Sequence, residues 1–395
     1  MRLSELRIQG FRSLEDVTWR PGSLNVVVGP NASGKSNLLR AFEMLQAAAT
    51  GRLGRFIQAE GGMGAVVWNG AVGGLHLGVD VAQEGSGDVA DSGSALRYRL
   101  DLDRLGVGSS FTVASETLQP TVPGRAGAVD EFISRHGHDW ELLSVMGGLK
   151  SGQGGVPEDE TLLSTTGVPL SSLPTAAVVQ SFLAGWTVYS EISTGRSSSL
   201  RQAAVTRHTS HVEPDGSNLV NVLHTLYPTD RRFRQDVDDA MSAAFGSEYE
   251  EVVIPPVADQ RVQLGVRWRS LRSYTPAADL SDGTLRFLLL VTILASPDPP
   301  SLIAIDEPET GLHPSMLPIV AEYAASAAKR SQVVLTTHSP DLLSAFEGEV
   351  PTTTVAEAAD GATALHVLEG DALRYWIDKY KLGEMYRSGE LEALR

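Results

Sequence analysis

Three runs along the chain share one pattern, a short and nearly all-apolar stretch that breaks abruptly into polar residues: "LNVVVGP" (24–30), "SLIAIDEPE" (301–309) and "SQVVLTTHSP" (331–340). Strands that are apolar on both faces belong in the middle of a parallel sheet covered by helices, although short buried helices share the pattern. Other stretches carry a helical period. "SNLLRAFEMLQAAA" (36–49) puts Leu38, Phe42 and Leu45 on one face, "SNLVNVLHTL" (217–226) does so with Leu219, Leu223 and Leu226, and "RRFRQDVDDAMSAAF" (231–245) with Phe233, Val237 and Met241. "LSDGTLRFLLLVTIL" (280–294) reads as an apolar helix that opens on a serine. "QRVQLGVRWRSLRS" (260–273) alternates, which predicts a strand with Arg261, Arg267 and Arg269 on one face and Val262, Leu264, Val266 and Trp268 on the other.

Between about 116 and 250 the composition shifts. "SGQGGVPEDETLLSTTGVPLSSLP" (151–174) reads as loop, and 79–96 as a polar hairpin tip or mobile loop. The helical stretches are short and show no sustained heptads, so the region predicts a compact helical subdomain, not a coiled-coil arm. No solenoid repeat is visible.

In an open α/β sheet, ligands bind beyond the carboxyl ends of the strands, where all three runs place their polar residues. The first run continues as Gly29-Pro30-Asn31-Ala32-Ser33-Gly34-Lys35-Ser36-Asn37, which fits GxxxxGK[ST]. Its glycines let backbone N–H groups turn toward phosphate, Lys35 adds a positive charge, Ser36 offers a hydroxyl to magnesium, and the following helix points its positive end at the same place. The second run delivers Asp306 and Glu307, suited to the surroundings of magnesium and to polarising a water; alone, an acidic turn explains them equally well. The third ends in His338, which could reach a γ-phosphate or serve the strand end. Ser281, beside Gly283, is at once an N-cap and a phosphate-binding element. Some 270 residues lie between Lys35 and Asp306, so a large insertion separates them.

Composition narrows the classes. Hydrophobic residues make up 42% of 395, no stretch approaches the roughly 18 apolar residues of a membrane span, and the start lacks a signal-peptide core; a cytoplasmic protein without membrane contact is expected. The absence of cysteine excludes disulfides and thiolate metal sites, and the nine histidines show no HExxH spacing. A net charge of −16 argues against coating nucleic acid, so DNA contact is expected only locally, with Arg231, Arg232 and Arg234 or the arginines of 261–269 as candidates and a solvated surface as the alternative.

The order P-loop, LS-x-G at a helix start, Asp-Glu strand and His-ended strand resembles that of ATP-binding-cassette ATPases. "FRSL", "GPNASGKSNLL", "LSDGTLR", "IDEPETGLHP" and "TTHSPDLL" are similar to the SMC/RecF/OLD-type branch, specifically its compact AAA-type members of the abortive-infection kind. The resemblance covers roughly 1–70 and 210–395, including "DGSNLVNVL" (215–223) and "LGEMYRSGELE" (382–392). It implies an α/β ATPase head with a mostly parallel central sheet: lobe I over 1–115, a helical insert over 116–250 and lobe II over 251–395. It also implies a homodimer sandwiching ATP and Mg2+. Gly29, Asn31, Ser33, Gly34, Lys35, Ser36 and Asn37 would hold nucleotide, and Ser36 and Asp306 the metal. Glu307 would be the general base and His338 the γ-phosphate contact. Ser281, Asp282 and Gly283 would act in trans on the other subunit's nucleotide. Arg12 and Gln58 are further candidates, the latter as a Q-loop residue near the metal; a surface arginine and a loop glutamine are the alternatives.

Two departures stand out: Asp282 where transporters usually have Gly, and His313 where they often carry a D-loop Asp. The implied function is a nucleotide switch in DNA maintenance or antiviral defence, working with a separate nuclease or toxin. A transporter ATPase subunit is the alternative, opposed by the insert and by "DEPETGLHP", and a metabolic phosphotransferase is opposed by Ser281. OLD-type nucleases carry a TOPRIM domain after the head, whereas 57 residues follow His338 in this sequence. Leu373, Trp376 and Tyr380 there are at helical spacing, and Glu384, Glu390 and Glu392 lack an Asp-x-Asp strand, so no nuclease activity is expected of this chain.

Overall fold

The computed structural model describes residues 1–68, 73–82, 95–106, 109–121, 131–143, 149–165, 174–346 and 350–368. The aromatic and acidic residues noted beyond 368, and the stretch 382–392, lie outside them. The chain divides into two compact units, one formed by Met1–Gly22, Gly29–Trp186 and Thr354–Val367, the other containing Ser23–Val28 and Thr187–Thr353.

The first unit is built on an antiparallel sheet of eight strands, in the order Leu14–Trp19, Arg2–Phe11, Gly74–Ala82, Ala95–Arg104, Phe111–Thr121, Ile133–His136, Asp139–Leu143 and Leu149–Gln153. Alternation explains it: along Gly74–Ala82, Leu75, Leu77, Val79 and Val81 are buried while His76 is exposed. The helix Lys35–Ala49 buries Leu38, Phe42 and Leu45 as its period predicts, and Phe42 meets Trp19 and Trp186 at centroid distances of 6.0 and 5.4 Å. Such aromatic pairs contribute about 0.5–1.5 kcal/mol each beyond the area they bury. The strands Thr352–Ala359 and Ala362–Val367 form a late hairpin whose second strand packs against Leu14–Trp19.

In the second unit the three apolar runs are strands, Leu24–Val28, Leu302–Asp306 and Gln332–Thr337, and they are parallel, with Gln332–Thr337 in the middle. Val28 pairs with Thr337, and Thr336 with Asp306, so the polar breaks of all three runs lie at one edge. Around them stand the helices Leu219–Thr229, Arg231–Phe245, Asp282–Leu294 and Leu317–Ala327. The expected apolar faces are buried, with Leu219, Leu223, Phe233, Val237 and Met241 at or below 1% exposure. From Leu285 to Leu294 the helix Asp282–Leu294 is buried at every position except Arg286.

Three expectations change. The stretch 116–250 holds the helices Pro174–Ala184, Leu219–Thr229 and Arg231–Phe245, but the strands Phe111–Thr121, Ile133–His136, Asp139–Leu143 and Leu149–Gln153, the last including the "SGQ" read as loop, continue the eight-stranded ladder into its first part. Short strands joined by Gly- and Ser-rich turns are easily taken for loop. The polar tip at 79–96 is flanked by paired strands as a hairpin requires, and its residues 83–94 lie outside the described set. The alternating stretch 260–273 is not one strand. Arg261 belongs to a strand pairing with Ala204–Val205 and Pro256–Val257, and Arg267 to another pairing with Tyr249–Val253 and Thr275–Pro276. The chain changes sheets at Leu264–Gly265, where a Cβ on Gly265 would stand 2.5 Å from the Tyr274 ring. Val262, Leu264 and Val266 are inside as the alternation predicts, although Gly265 between the last two is buried as well and Trp268 is half-buried.

Candidate functional site

The loop after Leu24–Val28 turns through two left-handed residues, Ala32 at φ 65° and Gly34 at φ 95°. Gly34 is the N-cap of the helix Lys35–Ala49 and provides no side-chain cap, so the helix's positive end is left to backbone N–H groups. Lys35 is 5% exposed, and its Nζ donates to the carbonyls of Gly29 (2.8 Å) and Pro30 (3.0 Å), which holds the ammonium across the loop. Ser33 is also buried, and its Oγ has no hydrogen-bond partner. An uncapped helix start, a fixed ammonium and an orphaned hydroxyl are what a phosphate chain satisfies.

The glycines of the loop have a second reason to be glycines. A Cβ on Gly29 would stand 2.3 Å from the Ala356 carbonyl, and one on Gly34 2.0 Å from Thr363 Oγ1. The late hairpin therefore buttresses the loop, and Thr363 also bonds Ser13 (Oγ to Oγ1, 2.6 Å). Ser13 Oγ accepts from Asn37 Nδ2 at 2.7 Å. Arg12, at φ 49°, is brought to the same helix turn: its Nη1 lies 3.5 Å from Asn37 Oδ1, and its Nη2 pairs with Glu60. Gln58 is exposed on the helix Leu53–Ala59 and lines a cavity with Arg55, Ser109 and Asp159, so it stands in a helix and not in the loop that the Q-loop reading requires.

In the second unit, Asp306 ends its strand and accepts from the Thr336 hydroxyl. Glu307 then takes φ 45°, a region that non-glycine residues occupy at a cost of about 1–3 kcal/mol. Its N–H donates to Thr336 O (3.1 Å), its carbonyl accepts from Arg286 Nη2 (2.9 Å), and its carboxylate lies 2.8 Å from His338 Nδ1. Two residues singled out on separate runs of the sequence are thus in direct contact. Glu309 is half-buried and accepts from Thr337 Oγ1 at 2.5 Å, while its buried Oε2 has no partner; desolvation raises its pKa. Burial also lowers the pKa of the Arg286 guanidinium, against the attraction of Glu309, Glu307 and Asp306.

Ser281 caps the helix Asp282–Leu294, its Oγ accepting from Thr284 N at 3.1 Å, and both Ser281 and Asp282 are exposed. A Cβ on Gly283 would stand 2.7 Å from the Gly311 carbonyl. Asp282 pairs with Arg201. His313 is an N-cap, its Nδ1 accepting from Ser315 N, which is a local structural use of the side chain. Sequence reasoning missed Arg201, Arg286, Glu309 and Thr363. For Arg286 a signal existed, a lone charge in an otherwise apolar helix; for Arg201 and Thr363 no local signal marks the role.

A family model described as "AAA domain, putative AbiEii toxin, Type IV TA system" matches residues 24–344. The chain is 46% identical over 54 residues to the DNA replication and repair protein RecF of Moorella thermoacetica; the match covers 13% of this chain and 14% of that RecF. Among solved structures it is similar to an Smc head bound to the C-terminal winged-helix domain of ScpA, with a TM-score of 0.59, 13% identity, and 95% of this chain and 100% of that one covered. It is also similar to a Pyrococcus furiosus Smc head domain with an extended coiled coil bound to the C-terminal domain of ScpA, with a TM-score of 0.57, 10% identity, and 95% and 98% covered. At such identities these likenesses show a shared fold, that of an SMC-type ATPase head. Among the described residues no helix is long and apolar enough to cross a membrane.

Proposed function

The chain belongs to the family of AAA domains described for AbiEii-type proteins, and from that premise we propose that it is an ATP-hydrolysing switch. Two copies engage through their heads when ATP is bound and separate after hydrolysis. The observation that carries this reading is the Glu307–His338 contact of 2.8 Å, on a backbone held at positive φ at the edge where the parallel strands end. Leu24–Val28, from which the P-loop runs, ends at that same edge.

The backbone N–H groups of Gly34, Lys35 and Ser36 and the Lys35 ammonium are suited to bind the phosphates. Mg2+, held by Ser36 and Asp306, would supply charge neutralisation at the β- and γ-phosphates. Glu307 is placed to orient the attacking water and accept its proton, with His338 fixing the carboxylate and facing the γ-phosphate. Arg12 is a nucleotide contact through its place beside Asn37, whereas Gln58 is the weakest of the nucleotide and metal assignments. Ser281, exposed at its helix start, and the half-buried Gly283 are suited to meet the phosphates of a second copy's nucleotide.

The biological setting that best accords with the family and the short RecF match is DNA maintenance or anti-phage defence, with a nuclease or toxin activity on a separate polypeptide. Direct DNA contact has less support. Arg267 pairs with Glu251 at 3.1 Å, and Arg234 lies near Asp238 and Glu251 and over the Tyr227 ring, so phosphate binding through them must compete with these partners.

Glu307→Gln tests the switch. It should bind ATP, turn it over slowly and accumulate as a dimer in light scattering, because closure requires nucleotide and release requires hydrolysis. A mass unchanged by ATP would overturn engagement through the heads.

A further inference from the structure

Asp282 puts a carboxylate between Ser281 and Gly283, on the exposed turn that the proposed reading brings to a nucleotide's triphosphate. An uncompensated carboxylate there repels polyphosphate, since like charges set against each other across an interface disfavour association. In this fold it is compensated. Arg201, from the short 3-10 helix Ser199–Arg201, is 8% exposed and reaches the turn from inside. Its Nη2 pairs with the Asp282 carboxylate. Its Nη1 donates to the carbonyls of Ala277 (2.9 Å), Ala278 (3.1 Å) and Leu280 (2.6 Å), and its Nε to Thr194 O (2.8 Å).

One buried cation thus gathers the carbonyls of the segment leading into the signature helix together with the first side chain of that helix. The Asp282 side chain is 64% exposed, so the ion pair extends from the interior to the surface at the signature itself. Its position in the first helical turn adds the favourable helix dipole. The carboxylate charge is therefore offset twice, and the planar fork of Arg201 fixes its direction.

We propose that Arg201 is a positioning residue for the signature. By neutralising Asp282 and fixing residues 277–280, it lets an acidic signature turn receive the γ-phosphate of nucleotide held by a second copy of this chain. The inference rests on the nucleotide-bridged dimer proposed above.

The test uses the full chain carrying Glu307→Gln, with ATP-dependent association measured by light scattering and ATP affinity measured separately. Arg201→Met should weaken association by at least about tenfold while leaving ATP affinity at the chain's own P-loop within about threefold. Asp282→Asn, whose amide oxygen still accepts from Arg201 and which lacks the repelling charge, should associate at least as tightly as the parent. In the double variant Arg201→Met/Asp282→Asn most of the loss should return, because the repelling charge has gone. A purely structural role for Arg201 predicts no rescue, since its lost carbonyl bonds stay lost. If Arg201→Met does not fold, Arg201→Gln takes its place: it removes the charge while keeping an N–H donor for the carbonyls, and the same order of affinities is expected. Association of the Arg201 variant as tight as the parent's, or a double variant no better than the single, overturns the inference alone. A parent that fails to associate with ATP overturns the head-engagement reading, and this inference falls with it.

Discussion

Arg286 Nη2 donates to the backbone carbonyl of Glu307 at 2.9 Å, so the helix capped by Ser281 and the loop that carries the proposed general base are tied by one half-buried guanidinium. Nothing else charged interrupts that helix after its first turn. Arg286→Met should therefore leave nucleotide affinity near the wild-type value while turnover falls by about a hundredfold, the scale of a misplaced catalytic group. Steady-state hydrolysis beside fluorescent-nucleotide titration separates the two quantities. Unchanged turnover in a folded variant would show that Glu307 holds its positive φ without help.

Lys35→Ala and His338→Ala should separate binding from chemistry. Lys35 is fixed across the loop mouth, so its loss should weaken ATP and ADP binding by about tenfold or more. His338 meets the Glu307 carboxylate, so its loss should lower turnover by about 10²-fold with affinity little changed. ADP affinity equal in wild type and Lys35→Ala would sink the P-loop assignment.

Gly34→Ala should destabilise the protein by about 1–3 kcal/mol, because alanine is strained at φ 95° and its methyl would meet Thr363 Oγ1 at 2.0 Å. Adding Thr363→Ala should recover the steric part and leave the backbone part. Urea unfolding of the four proteins measures both. Equal stability of wild type and Gly34→Ala would mean that the hairpin yields easily.

The chemistry was legible in the sequence because it sits where strand periodicity ends. A parallel strand buried on both faces carries small or amide polar residues such as Asn25 and Thr336 but no charge before its end, so Lys35, Asp306, Glu307 and His338 stood out. The second unit's helices were readable for a similar reason, each having one apolar face, as Phe233, Val237 and Met241 show. The long antiparallel sheet was harder to see: strands such as Ile133–His136 and Asp139–Leu143 are four or five residues long and joined by tight turns, too short for alternation to rise above loop composition. The partners of the site were illegible. Arg201 acts on residues 76 to 81 positions away, and Thr363 on Ser13 across 350, separations at which local pattern says nothing.

Glu116 gives a pH prediction away from the site. It is fully buried on the strand Phe111–Thr121, where its carboxylate accepts from Leu162 N (2.5 Å), Leu163 N (2.9 Å) and Tyr98 Oη (2.9 Å). Burial raises its pKa, opposed by these hydrogen bonds and by Arg135. The folded state then holds the proton more tightly than the unfolded state, so this group's contribution to stability is fully present below the ordinary carboxylate range and is lost as pH rises from there through the raised folded-state pKa. Glu116→Gln should remove that slope. Chemical denaturation from pH 4 to 8 compares the profiles, and parallel curves would mean that the carboxylate is ionised in both states.

The hairpin that buttresses the P-loop also sets an order of assembly. On the ribosome the GxxxxGK[ST] segment emerges early, yet Ala356 and Thr363, which close in on Gly29 and Gly34, follow more than three hundred residues later. Loop closure over such a span comes late in folding. Nascent chains should therefore display the motif long before its glycines meet the neighbours that shape them, and competence to grip nucleotide should mature only as the hairpin docks.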